Sequence, residues 1–141
     1  MLINTSELED AALEWAVAMC ERIKVEIHSA AMIVESRLRS MSPVEVASHP
    51  RPKPYCTIPG RHQAAFSSDW AQGGPIIERC QITIRHDYND DWVAEYSHPY
   101  SYGAGRAYFK QSGPTPLLAA MRCYVASMLG EEIEVPEELC K

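Results

Sequence analysis

Residues 81–96, Gln81-Ile82-Thr83-Ile84-Arg85-His86-Asp87-Tyr88-Asn89-Asp90-Asp91-Trp92-Val93-Ala94-Glu95-Tyr96, decide the fold class. Two runs of strand composition flank Asp87 to Asp91, a segment of turn formers, and this pattern predicts an antiparallel hairpin. Strand side chains alternate between faces, so Ile82, Ile84, Trp92, Ala94 and Tyr96 are expected to share the buried one. Tyr100 to Lys110 offers a further edge strand after the Gly103-Ala104-Gly105 kink. Beyond it, Thr115-Pro116 predicts a helix entrance, with threonine as N-cap and proline at the first helical position, where its missing amide costs nothing. Gly130 supplies the exit. Leu118, Met121, Val125 and Leu129 form one apolar stripe between them, so the helix is expected to pack deeply.

The upstream half adds helices. Ser6-Glu7-Leu8-Glu9 has the spacing of a capping box, which predicts a helix from there to about Glu21 with Leu8, Ala12, Trp15 and Met19 on its apolar face. Lys24 to Ile27 alternates as a short strand does, and Ala30, Ile33, Val34 and Leu38 have helical spacing. Residues 42–60 hold five of the ten prolines, which lack amides and push their predecessors toward extended backbone. A long Pro-rich loop at about 42–60 is expected, either a lid or an insertion. Ile133-Glu134-Val135 is a further short strand stopped by Pro136. The expected fold is α+β: an antiparallel sheet of about three to five strands packed against two main helices, covered on one side by the Ser6 and Thr115 helices.

At 141 residues the chain fits a single domain spanning residues 1–141. Apolar residues at 46% and charged residues at 23% are the balance of a packed globular protein rather than a disordered one. No apolar run approaches the roughly 20 residues a bilayer requires, and the amino terminus has no signal-peptide pattern. A soluble protein with no membrane partner is expected. The five cysteines are odd in number and contain no C-x-x-C pair, which argues against zinc and against a disulfide framework. The net charge of −6 disfavours general DNA or RNA binding, which requires cations to displace condensed counterions. Charge is uneven: residues 51–113 carry seven basic and six acidic groups, while both flanks are acidic.

Catalytic motifs are missing. There is no Walker lysine, no G-x-G-x-x-G and no G-x-S-x-G elbow, and the five histidines share no paired motif. Asp87-x-Asn89-x-Asp91 begins like a calcium loop, but Trp92 and His98 stand where that loop needs glycine and glutamate. No metal, no cofactor and no catalytic residue are nominated; the residues lean toward a binding protein and leave an enzyme open.

Two blocks carry a resemblance: Phe66-Ser67-Ser68-Asp69-Trp70-Ala71-Gln72-Gly73-Gly74-Pro75-Ile76-Ile77-Glu78-Arg79, and Gly113 to Ser127 with its Gly-Pro-Thr-Pro-Leu-Leu start. Together with Ala12 to Ala18 and the tail from Leu129 to Pro136, they resemble the NinX family of small accessory proteins of lambdoid and related tailed phages. The resemblance implies a phage protein working in the host cytoplasm. It transfers no catalytic residue.

Two readings of Asp69 to Arg79 are open. In one, Asp69 is a cap, Trp70 and the isoleucines are core, and Gly73-Gly74-Pro75 is a turn. In the other, the glycines let a ligand approach the backbone, Trp70 stacks on it and Arg79 meets an anion. Aromatic density downstream is open to two readings as well: a half-buried sheet face with tyrosines at its rim, or a ligand surface, because flat faces with polar edges suit nucleobases. The expected site combines Trp70, Gly73, Gly74, Trp92, Tyr96 and Tyr102 with phosphate contacts from Arg61, Arg79 and Arg106. The expected ligand is a small nucleotide-like host signal, sequestered by a homo-oligomer with the ligand between subunits. The alternatives are an inhibitor or adaptor acting on a host protein through its acidic surface, and a small hydrolase of a nucleotide signal.

Overall fold

The computed structural model describes residues 1–60, 62–97 and 108–140. In chain order the elements are β1 (Leu2–Asn4), α1 (Asp10–Cys20), β2 (Glu26–His28), α2 (Ala30–Leu38), α3 (Pro43–Ser48), β3 (Tyr55–Thr57), α4 (Trp70–Cys80), β4 (Thr83–His86), β5 (Trp92–Ser97), β6 (Tyr108–Gly113), α5 (Pro116–Leu129) and β7 (Glu132–Glu134), with 3₁₀ turns at Thr5–Glu7 and Glu137–Leu139. The class is mixed α+β, with three small antiparallel sheets among the described residues: β4-β5-β6, β2-β3 and β1-β7.

The hairpin forms as its composition requires. Ile84 pairs with Ala94 and His86 with Trp92, and the Asp87 amide donates to the Asp91 carbonyl at 2.7 Å to close the turn. Asp90 takes φ +61°, a left-handed conformation that aspartate tolerates better than most residues. β6 adds on the other side of β5, opposing Phe109 to Tyr96 and Gln111 to Ala94.

Helix α5 is the centre of the molecule. Thr115 caps it by accepting from the Leu118 amide at 3.2 Å, and Gly130 at φ +98° ends it. Its buried residues include Leu117, Ala119, Ala120, Met121, Cys123, Tyr124, Val125 and Ala126, a distribution around the helix that marks an element covered on more than one side. The β4-β5-β6 sheet covers one part of it and α1 another. The layer order is therefore sheet, α5, α1, whereas the sequence suggests both helices on the sheet. Alanines explain the difference: Ala11, Ala12, Ala16 and Ala18 on α1 and Ala119, Ala120 and Ala126 on α5 are all buried, and small side chains let two helix backbones approach closely.

Three local expectations are corrected. The Ser6–Glu9 capping box does not form: the Asn4 side chain accepts from both the Ser6 amide at 3.0 Å and the Ser6 hydroxyl at 2.7 Å, so a 3₁₀ turn precedes a helix that starts only at Asp10. A capping box occurs instead at Ser42 and Glu45, inside the segment expected to be loop. There, the prolines permit a short helix because Pro43 occupies its first turn, and Tyr55–Thr57 pairs with β2 despite its proline neighbours. The third correction concerns Gly73-Gly74-Pro75, which lies within α4 rather than forming a turn.

Candidate functional site

Glycine and proline are the poorest helix formers, so α4 must be held from outside. Asp69 caps it by accepting from the Ala71 amide at 2.9 Å. Gln72 ties its first turn to the preceding chain, accepting from the Ala65 amide at 2.9 Å and donating to the Gln63 carbonyl at 3.1 Å. Ile76 is buried and Ile77 packs against the core. Gly73 is buried too, and a Cβ there would collide with the Phe66 carbonyl oxygen and stand 2.6 Å from Leu117 Cδ2. The close approach that this glycine permits is thus that of Phe66 and Leu117. Gly74 is more open, with only Trp70 Cε3 near, at 3.9 Å.

Immediately before α4, the Phe66–Ser67 turn is fastened to α1 by Glu14. This carboxylate, only 6% exposed, accepts from the Phe66 amide, from the Ser67 amide at 3.1 Å and from the Ser67 hydroxyl. Burial pushes its pKa above the ordinary carboxyl range; the bonds from Ser67 and Phe66 oppose that shift and nearby Asp10 adds to it. Glu14 borders a cavity of about 270 Å³ lined also by Asp10, Lys53, Tyr55, Gln63 and Ser68. Lys53 Nζ meets Asp10 Oδ2 across its mouth at 3.3 Å. Cys56 also lines it, but burial, with Glu14 nearby, raises that thiol to about 11, far from a nucleophile's range.

Asp10, Ser67 and Ser68 also border a second cleft of about 360 Å³. Its other walls are Trp70, Thr115, Pro116, Leu117 and Leu118, the first turns of α4 and α5. Trp70 is 55% exposed, so it is not the core residue of the first sequence reading. An exposed indole at the mouth of a cleft offers a stacking face.

Of the remaining expected site residues, the described ones, Arg79, Trp92 and Tyr96, do not line the Trp70 cleft. Arg79 lies nine positions further along α4, about 13 Å down the axis and half a turn round, where its guanidinium pairs with Glu21 at the end of α1. Tyr124 of α5 also hydrogen-bonds to Glu21, so this acid joins three helices. Trp92 packs edge-on against His86 with centroids 5.0 Å apart, and Tyr96 stacks on Phe109 at 6.5 Å; both belong to the margin of the core. Arg61, Tyr102 and Arg106 lie outside the described residues.

Sequence reasoning missed Glu14, Asp10, Lys53, Ser67 and Ser68 as a set. One signal was available for Glu14: it is the only charged residue between Ala11 and Cys20, in an otherwise apolar stretch. Among the described residues, no group of three or more His, Cys, Asp or Glu side chains is arranged to hold a metal ion, and no helix is long and apolar enough to cross a membrane. A comparison with curated proteins gives no significant match. A family of bacteriophage proteins does match: the one described as bacteriophage P22 NinX, over residues 4–128. The matched span takes in the middle segments 24–60 and 98–112, where no likeness was evident from the sequence, and stops short of the tail from Leu129 to Pro136. It covers α1 through most of α5, including both clefts, and the chain therefore belongs to the phage NinX family.

Proposed function

We propose that this protein is a phage accessory protein that works in the host cytoplasm by binding and sequestering a host-derived, nucleotide-like signalling molecule, without turning it over, as a counter-defence sponge. The observation that carries the reading is Trp70: an indole 55% exposed at the mouth of a cleft of about 360 Å³, within the size range of small-molecule sites. A base would stack on the indole, and Ser67, Ser68 and Thr115 supply hydroxyls for a sugar or a base edge. Asp10 accepts from an exocyclic amine. Lys53 is paired with Asp10 of the Trp70 cleft and Arg79 with Glu21, so phosphate contacts come from Arg61 and Arg106 or from a second subunit, which is why the reading includes a homo-oligomer.

Calorimetric titration of the purified protein with cyclic dinucleotides and cyclic ADP-ribose isomers tests it. Heat with one of these, lost in Trp70→Ala at unchanged melting temperature, is the expected result; no heat with any nucleotide overturns it. Ligand recovered chemically altered after heat denaturation would instead mark a hydrolase.

A second reading, an inhibitor or adaptor of a host protein, is favoured by one feature. Glu131, Glu132, Glu134, Glu137 and Glu138 are all exposed, and the pairing of β1 with β7 brings exposed Met1 and Leu2 from the opposite end of the chain alongside this acidic tail. Pull-down from host lysate, with and without reversal of these charges, separates it from the first.

A further inference from the structure

From the β2-β3 sheet the chain extends an arm, residues 30–54, that contains α2 and α3. Ala30 is the only buried residue in it. A stretch of this length that folds into two capped helices yet only half-buries Ile33, Val34, Met41 and Val46 has little hydrophobic reason to hold its shape alone, since short helices are marginal unless an apolar face is covered. Its exposed surface is apolar in the wrong places for a solvated arm: Met32 is 54% exposed, Leu38 47% and Val44 80%.

Charge says what covers the arm. Residues 30–54 carry Arg37, Arg39, Arg51 and Lys53 against Glu35 and Glu45, in a chain whose net charge is −6; the arm is basic and the body acidic. A groove of about 360 Å³ has Ile3, Leu8, Ala12 and Leu139 of the body among its walls, Glu7, Glu9 and Asp10 beside them, and Lys53 and Pro54 from the arm's own end. Lys53, at the arm's end, already reaches into this acidic rim to meet Asp10.

We propose that the arm of one copy docks, through Leu38, Met32 and Val44, in the acidic-rimmed groove of a second copy, and that the exchange is reciprocal. Reciprocity closes the assembly as a twofold dimer, the commonest symmetry for such contacts. This proposal deepens the oligomeric part of the function proposed above and is independent of its ligand.

Sedimentation velocity on the full chain, without ligand, from micromolar to submillimolar concentration tests it. The wild type is expected to dimerise and to weaken with added salt. Leu38→Glu with Val44→Glu, both solvent-exposed in the single chain, is expected to raise the dimer dissociation constant about tenfold or more with the circular dichroism spectrum and melting of the monomer retained. Arg39→Glu/Arg51→Glu in one sample and Glu7→Lys/Glu9→Lys in another should each be monomeric, and mixing them should restore the dimer. A wild type monomeric throughout overturns both the arm and the homo-oligomer. A wild-type dimer that none of these variants weakens overturns the arm alone, leaving the oligomer and the Trp70 ligand standing.

Discussion

Glu14 and Ser67 are joined by three contacts across 53 positions of sequence: the Ser67 amide donates at 3.1 Å to one carboxylate oxygen and at 3.4 Å to the other, and the Ser67 hydroxyl donates to the first. With the Phe66 amide also donating to Glu14, a buried carboxylate on α1 takes the place of the backbone partners that this turn lacks. Removing it leaves those donors buried without an acceptor, at about 1–3 kcal/mol for each such group. Glu14→Ala is therefore expected to destabilise the protein by about 3 kcal/mol in urea unfolding. Ser67→Ala, which removes only the hydroxyl, should cost about 1 kcal/mol. Equal and negligible effects of both would show that the pin contributes nothing.

The same carboxyl sets a pH dependence. Burial raises its pKa in the folded protein, so the native state holds this proton more tightly than the unfolded chain does. Stability from this group is greatest below the unfolded value, about 4.3, and declines as pH rises through the raised folded value. Glu45 and Glu95 act oppositely. The Ser42 backbone amide and hydroxyl hold the first below the ordinary range, and Tyr108 and Arg85 the second, so their contribution disappears as pH falls below that range. Unfolding free energy should accordingly rise from neutral pH into mild acid, then fall. In Glu14→Gln the rising limb should vanish while the acid fall stays. A wild-type profile flat between neutral pH and mild acid would contradict this.

The hairpin and α5 were legible because their signals are local: alternation around a turn, a Thr-Pro entrance, a glycine exit. The start of α1 was misread because two residues competed for the Ser6 amide, and Asn4 wins it at 3.0 Å. α4 was misread for the opposite reason. Its Gly-Gly-Pro run reads locally as a turn, and only Asp69, Gln72 and the seat of Gly73 against Phe66 make it a helix. The Glu14 cavity was illegible as a site because it joins α1 to a turn more than fifty positions away. Trp70 was legible as a candidate, but its exposure depends on where α5 begins.

Gly73 and Gly74 are adjacent in one helix and should respond oppositely to alanine. Alanine gains up to about 1 kcal/mol over glycine in a helix interior. At Gly73 that gain is outweighed by collision with the Phe66 carbonyl and Leu117, since overpacking a tight site costs about 1–3 kcal/mol. At Gly74 nothing opposes it. Gly73→Ala should lower the melting temperature and Gly74→Ala hold or raise it. If both lower it alike, the helix rather than the Phe66 contact sets the requirement for glycine.

Arg79 distinguishes structure from site on the same helix. It is paired with Glu21, with the arginine side chain 55% exposed and the glutamate 17%, and an ion pair with its cation open to solvent contributes on the order of 1 kcal/mol. Arg79→Ala should thus cost about that much stability and, if Glu21 is its whole purpose, leave ligand titration unchanged. Trp70→Ala should do the reverse. Should Arg79→Ala abolish binding at retained stability, the guanidinium must serve a ligand that reaches it from a second subunit, because half a turn and about 13 Å of helix separate it from Trp70 in its own chain.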